Sequence, residues 1–416
     1  MRQPLVHIVG AGLAGLAAAV RLADEGREIV LHEAAGQAGG RCRSYFDTQL
    51  GVTIDNGNHL LLSGNSSALD YLRRIGADHA LVGPDHAEFH FVDLATKQRW
   101  RLRPNDGPLP WWILVPGRRV PGTGWRDYLA LSRLLLPGRD KPLSEVVARG
   151  GPIWDRLWHP LLLAALNTDP AEGSAQLAGA ILRETLTKGG HACRPLVARG
   201  GLSAAFVDPA LRFLSARGTT VRLGHRLDGF EFERDRVVAL GFADETMKLA
   251  PDDRVVLGVP PWIAASLMPG LGVPQSLRAI VNAHFLLAPP PGTPPLQGVV
   301  NGLVEWLFAF EDRVSVTISC ADRLLALSRE ELAARIWADV AAVLEIAKPS
   351  PPWQIVTEKR ATFAATPQEN ARRPHATTGF ANVVLCGDWT ATGLPATIEG
   401  AIRSGDRAAE LIRRSL

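Results

Sequence analysis

The sequence predicts an α/β fold: a Rossmann-like dinucleotide-binding domain built from discontinuous segments, interleaved with an α+β domain carrying a mixed sheet. Three observations predict it. A glycine-rich strand–turn–helix opens the chain, a second strand-to-helix turn closes it, and the stretch at 279–363 alternates apolar runs with turn residues.

Pro4 to Val9 read as a short buried strand, followed by Gly10-Ala11-Gly12-Leu13-Ala14-Gly15 and a helix of small residues, Leu16 to Glu25. Gly10 allows the tight turn, Gly12 lets backbone approach a pyrophosphate, and Gly15 permits close helix–strand packing. The free N–H groups at the helix N-terminus favour an anion, and Leu13 and Ala14, in the turn before it, are expected at the cofactor. A second strand, Glu28 to Leu31, leads to Glu33, about 20 residues beyond the glycines, where a carboxylate accepts hydrogen bonds from both ribose hydroxyls. Its charge repels a 2′-phosphate.

Gly39-Gly40-Arg41-Cys42-Arg43-Ser44 then brings two flexible residues and two guanidinium groups to a loop placed to cross the pyrophosphate and reach a flavin. A nicotinamide site does not need this loop. At the far end, Asn382 to Cys386 form an apolar strand running into Gly387-Asp388-Trp389-Thr390, then Gly393-Leu394-Pro395-Ala396-Thr397, then a helix from about Ile398 to Arg414. Gly387 leaves room for a cofactor and Asp388 accepts from a ribityl hydroxyl. The helix that follows Pro395, Ala396 and Thr397 points its positive end at the part of a flavin that is negative when reduced. The expected cofactor is non-covalent FAD.

These segments, with Glu399-Gly400-Ala401-Ile402-Arg403-Ser404-Gly405, resemble the flavin-containing amine oxidase and phytoene desaturase superfamily. The resemblance implies FAD stretched between the first and last segments. It also implies a returning helix and strand at Arg199-Gly200-Gly201-Leu202-Ser203 and Thr219 to Leu223, with Val221 near the adenine. Further stretches are similar to one branch, the hydroxysqualene dehydroxylase family, the squalene-associated FAD-dependent desaturases of bacterial hopanoid synthesis. These are Trp158-His159-Pro160 through Asp169-Pro170, Ile280 to Phe285, Glu358 to Phe363, and Asp388 to Gly400. That resemblance implies an oxidoreductase that removes the allylic hydroxyl of hydroxysqualene to give squalene, with reduced FAD as the hydride source. Where many amine oxidases carry a lysine after a Pro-Pro turn, the strand after Pro260-Pro261-Trp262 offers Asn282 and His284, which weakens an oxidase reading. A carotenoid-type desaturase or amine oxidase, and a non-catalytic flavin scaffold, stay as alternatives.

Cleaving a C–O bond requires protonation or strong hydrogen bonding of the hydroxyl. Candidate donors are His284, Glu358, Asp169 and His59, with Asn282 beside them; a satisfied histidine in a turn is the plainer role for His59. A triterpene alcohol of about 30 carbons is costly to carry through water, at roughly 0.8 kcal/mol per CH₂. A membrane contact is therefore expected. Pro108 to Arg119 combines Trp111 and Trp112 with Arg118 and Arg119, and Tyr128 to Leu136 adds an apolar helical run. This stretch docks on a bilayer or lines the substrate tunnel.

Composition agrees with a globular enzyme: 46% hydrophobic and 21% charged residues exclude a disordered chain. The formal charge of +3 is too balanced to argue for nucleic acid, while the arginine bias suits an anionic membrane surface. The four cysteines are scattered singly, without the spacing of a metal site or disulfide framework, so no metal is expected and a reducing cytoplasm fits. Leu5 to Val20 mimics a signal-peptide core, but its glycines sit at phosphate-loop spacing, and no run of about 18 apolar residues occurs. The expected location is cytoplasmic and peripheral on the inner face of the cytoplasmic membrane. Neighbouring isoprenoid enzymes and an electron donor of unassigned identity are expected partners. The expected map is an FAD domain at 1–75, 191–260 and 375–416, and a substrate domain at 76–190 and 261–374.

Overall fold

Two large sheets organise the chain, which is described here over residues 3–415 of a computed structural model. The first is five-stranded and wholly parallel, in the spatial order Thr220–Arg222, Glu28–His32, Leu5–Val9, Arg254–Leu257 and Val383–Leu385. Parallel strands covered on both faces read as continuous apolar runs, which is how the sequences of the last three appear. The opening and closing strands of the chain thus share one sheet, with Arg254–Leu257 between them.

The first helix, Leu13–Asp24, starts three residues earlier than the expected Leu16, with Gly12 as its N-cap. Gly15 therefore lies in the first helical turn, where a Cβ would overlap the Gly10 carbonyl oxygen. The last helix, Ile398–Ser415, lies along the first, and Gly405 makes the contact: a Cβ there would overlap the Ala14 carbonyl oxygen and touch Ala17. Backbone meets backbone because side chains are missing.

The second sheet is seven-stranded and mixed, as expected. Its order is Trp353–Phe363, Leu277–Phe285, Val314–Ile318, Trp306–Ala309, Leu296–Val300, Phe89–Asp93 and Arg99–Leu102. All neighbours are antiparallel except Leu296–Val300 with Phe89–Asp93. Asn301-Gly302, with Asn301 at φ 60°, turns the chain between Leu296–Val300 and Trp306–Ala309. One face, with Val281, Ala283, Phe285, Val316 and Ile318, is buried with the helix Arg329–Leu344 in one apolar cluster. The other bears Asn282, His284, Ser315 and Thr317, which alternate with those apolar residues along the strands.

The run expected as a helix over Tyr128 to Leu136 is a 3₁₀ helix, Trp125–Leu135, with Tyr128, Leu131 and Leu134 buried. A buried residue at every third position matches three residues per turn. No helix among the described residues is long and apolar enough to cross a membrane.

Because overfilling a tight contact costs about 1–3 kcal/mol, Gly405→Val is expected to lower the thermal midpoint and to reduce the flavin-to-protein absorbance ratio of purified protein. A variant that keeps full flavin content would show that the contact between the two helices does not position the cofactor.

Candidate active site

At the nucleotide end, Gly10 turns the chain at φ 102° and the first helix begins at Gly12 without a side-chain cap, leaving its leading amides free. A Cβ on Gly12 would meet nothing within 4 Å, so the backbone here faces open space. The loop Gly39–Arg43 crosses this turn: Gly39 N donates to Ala11 O at 2.8 Å, and Gly12 and Gly39 form a parallel bridge. Gly40 follows at φ 57°. Glu33 lies at the end of the second strand as expected, and its carboxylate accepts from Ala11 N at 2.7 Å and Ala35 N at 2.9 Å. Those two bonds fix the glycine turn. They leave lone pairs for ribose hydroxyls, since a carboxylate has about four acceptor sites. Val221 sits one strand over, opposite Leu31.

At the other end, Gly387 takes φ 146°, and its N–H donates to Ser404 Oγ on the last helix at 2.8 Å. The Asp388 carboxylate accepts from Arg41 Nη2 at 2.7 Å, and Arg41 Nη1 donates to the Ala361 carbonyl of the second sheet. One guanidinium thus joins the first segment, the last segment and the second sheet. Pro395 is buried and Ala396 half-buried, and Thr397 caps the last helix by accepting from Gly400 N at 3.0 Å. An uncapped glycine turn, a carboxylate on each side and a second helix N-terminus suit an extended dinucleotide with a flavin at its end.

Between these ends, the segment Asp55–His59 meets the polar face of the mixed sheet. Asn58 Nδ2 donates to Val316 O and Thr317 Oγ1, both at 3.1 Å, and Asn58 N donates to Asn282 Oδ1 at 3.3 Å. Asn282 Oδ1 also accepts from Thr317 Oγ1 at 2.8 Å. His284 is buried and shares a 2.7 Å hydrogen bond between its Nδ1 and Ser315 Oγ. Burial, with Arg313 nearby, lowers its pKa to about 4. His59 is lowered to about 4 as well, by burial and by the charge of Arg41. Both imidazoles are neutral at pH 7. Glu358 lies opposite Ile280 and so shares the face of Asn282; its charge also acts on Arg41.

The structure therefore brings His59, Asn282, His284 and Glu358 to one face. Asp169 stands apart from them: it is exposed and closes a turn by accepting from Ala171 N at 2.8 Å. An Asx turn accounts for that residue. The adjoining Trp111 and Trp112 split, Trp111 outward and Trp112 inward at 6% exposure. Arg360 stacks over Trp262 at 4.8 Å.

Sequence reasoning missed Arg373. It is buried and donates to Asp388 O at 3.1 Å, to Thr390 O and to Thr392 Oγ1 at 2.8 Å, holding the turn that carries Asp388. Burial lowers its pKa to about 10. Nothing in the sequence separates it from neighbouring Arg372. Also missed is a histidine stack at the nucleotide end: His32 bonds His7 at 3.2 Å and His225 at 3.0 Å. Burial, then His7, His225 and Arg222, push the His32 pKa down to about 3. Among the described residues no cluster can hold a metal ion.

Comparison with known proteins gives a consistent placement. The family model described as flavin containing amine oxidoreductase matches residues 13–413. The chain is 58% identical over 408 residues to the hydroxysqualene dehydroxylase of Rhodopseudomonas palustris, covering 98% of each chain. It is 55% identical over 406 residues to that of Sinorhizobium fredii, covering 98% of this chain and 97% of the relative. Its fold matches the cyclohexylamine oxidase of Brevibacterium oxydans with a TM-score of 0.70 at 16% identity, covering 99% of each chain.

Three histidines held neutral make stability depend on pH in a defined window. In the unfolded chain each takes a proton near pH 6.5, whereas His59 and His284 resist protonation down to about 4 and His32 down to about 3. The unfolded state then binds more protons across that range, so stability is full above about pH 6.5 and falls as pH drops toward 4. The thermal midpoint is expected to decline from pH 7 to pH 4.5, with a shallower slope in His284→Asn. Equal slopes would show that His284 does not titrate as its burial requires.

Proposed function

The chain belongs to the flavin containing amine oxidoreductase family, and from that premise we propose that it is an FAD-dependent hydroxysqualene dehydroxylase converting hydroxysqualene to squalene. The observation that carries the reading is the 58% identity to a hydroxysqualene dehydroxylase across 98% of both chains, joined to a site with no lysine on the strand facing the cofactor cradle. In this reaction the C–O bond breaks, the hydroxyl leaves with a proton as water, and the carbon gains a hydride. FAD, held between Gly12 and Thr397, supplies that hydride when reduced.

The protein's own residues have three tasks. Glu33, the amides after Gly12, Arg41, Asp388 and the amides after Thr397 hold and align the cofactor. Asn282 and Thr317 position the Asp55–His59 segment through Asn58. The neutral His59 imidazole hydrogen-bonds the departing hydroxyl through its N–H, and Glu358 relays a proton to that hydroxyl from solvent. Both are half-buried, whereas Asn282 and His284 are buried and already bonded within the protein. Asp169 is left out of this role.

Delivery of the substrate is assigned to the segment between 108 and 136. Leu109, Leu114 and Leu136 are 78%, 61% and 70% exposed, and Arg118 and Arg126 stack over the exposed Trp111 and Trp125. Apolar tips beside arginines suit the interface of an anionic bilayer, at the inner face of the cytoplasmic membrane.

Anaerobic mixing of chemically reduced holoenzyme with hydroxysqualene is expected to give squalene and oxidised flavin. His59→Asn and Glu358→Gln are expected to slow this single turnover by about 10²–10⁴-fold, with Asp169→Asn at the wild-type rate. No squalene from wild type would remove the reading, and undiminished rates in both variants would remove the donor assignment. Sedimentation with vesicles containing phosphatidylserine is expected for wild type and strongly reduced for a Trp111→Ser, Leu114→Ser double variant; equal sedimentation would place the membrane contact elsewhere.

A further inference from the structure

Strand register places one continuous row of residues across the mixed sheet. Asn282 pairs with Thr317, Thr317 with Trp306, Trp306 with Gly298, Gly298 with Phe91, and Phe91 with Trp100. Cross-strand partners share a face, so the row lies on the side that meets the Asp55–His59 segment. It is polar at the Asn282 end and aromatic from Trp306 outward. Strand spacing makes the stretch from Thr317 to Trp100 about 19 Å long.

We propose that the aromatic part of this row is the track along which one isoprenoid arm of the substrate lies, its hydroxyl-bearing carbon at the Asn282–Thr317 end. The inference rests on the dehydroxylase reading and adds which residues select the hydrocarbon chain. A polarity that changes once along a row sets the direction of an amphiphilic guest, polar group at one end and hydrocarbon at the other. Gly298 interrupts the row without a side chain, and the Phe91 ring lies in the place a Cβ would take, flat against the strand. Phe91 in turn stacks on Trp100 at 5.4 Å and meets Trp306 edge-on at 5.8 Å.

A second observation points to an unsaturated guest. The indole N–H groups of Trp306, Trp100 and Trp158 are buried and have no hydrogen-bond partner among the described residues. A buried donor without an acceptor is costly. Carbon–carbon double bonds offer π electrons to N–H donors at intervals along a polyene, and a saturated chain offers none. Trp158 belongs to the same buried apolar cluster and packs edge-on against Tyr128, and Tyr128 against Trp112, with ring centroids 5.9 and 5.0 Å apart.

The outer end of the track lies on an edge strand of the sheet. Arg99–Leu102 is the edge strand and continues directly into the exposed apolar segment, where Arg103 N donates to Arg118 O at 3.0 Å. On this proposal, chain leaving the aromatic end is directed toward the segment that carries Trp111 and Leu114, the groups assigned to the bilayer.

The test uses FAD-loaded protein and a hydroxysqualene analogue with a diazirine on a terminal isoprene unit. Photolysis and peptide mapping are expected to place label within residues 89–136; label confined to other residues overturns the track. In parallel, Gly298→Val and Trp100→Ala are expected to raise KM for hydroxysqualene at least tenfold while changing the inhibition constant of the short allylic alcohol geraniol less than twofold. Equal effects on both compounds, or none on either, overturn it. Photolabelling needs no turnover, so it decides the matter even where a variant folds poorly. Wild type that makes no squalene sinks the dehydroxylase reading instead, with the label position still reporting the track.

Discussion

Everything in this molecule depends on holding two distant stretches of chain at a fixed separation, because one extended cofactor must touch both. The contact that does so uses absent side chains. Gly405 lets the last helix rest on the first at Ala14, Gly15 lets the first helix rest on its own turn at Gly10, and Gly40 approaches Gly12. A contact between backbones has no rotamers to relax, so it transmits position more faithfully than one between long side chains. Arg41 and Arg373 then lock the parts around it: one ties Asp388 to the second sheet, the other ties the turn carrying Asp388 to itself.

Much of this was legible in the sequence, for a physical reason. Glycine leaves a readable trace wherever sterics demand it, so Gly10, Gly15, Gly39, Gly40 and Gly387 stood out in the sequence, and each sits where a Cβ would collide or the backbone takes a positive φ. The strand-to-helix order at both ends marked the parallel sheet. What stayed hidden depends on pairing across the chain. Nothing local separates Arg373, buried under Asp388, from Arg372, which bonds Glu369 on the next turn. His32 and His225 lie 193 residues apart and meet only after Thr220–Arg222 pairs with Glu28–His32. Asp169 misled because its neighbours Asn167 and Thr168 are buried and bonded to distant strands. The turn that lets them reach those strands leaves Asp169 itself in solvent.

Trp111 and Trp112 show the same limit at the scale of one residue. Adjacent positions with identical side chains take opposite environments, because the short 3₁₀ turn Trp111–Leu114 rotates them to different sides. Trp112 joins Tyr128 and the interior; Trp111 stays out under Arg118. Composition alone offered a bilayer patch or a tunnel lining. The backbone gives the segment one exposed indole and one buried one.

The charge around the site follows from the same geometry. Two guanidinium groups, Arg41 and Arg373, act on the single buried carboxylate of Asp388, and Glu358 adds a second anion near Arg41. Two cations against two anions leave the region close to neutral, and burial keeps His59 and His284 from adding charge. In such surroundings the fixed dipoles weigh heavily, and the exposed amides of two helix starts set the field along the cofactor cradle. A hydrocarbon substrate tolerates this arrangement because it brings no charge of its own. A cationic amine would be desolvated beside two guanidinium groups, with the Asp388 carboxylate already engaged by Arg41. The two guanidinium groups beside the site therefore favour an uncharged guest over a cationic one.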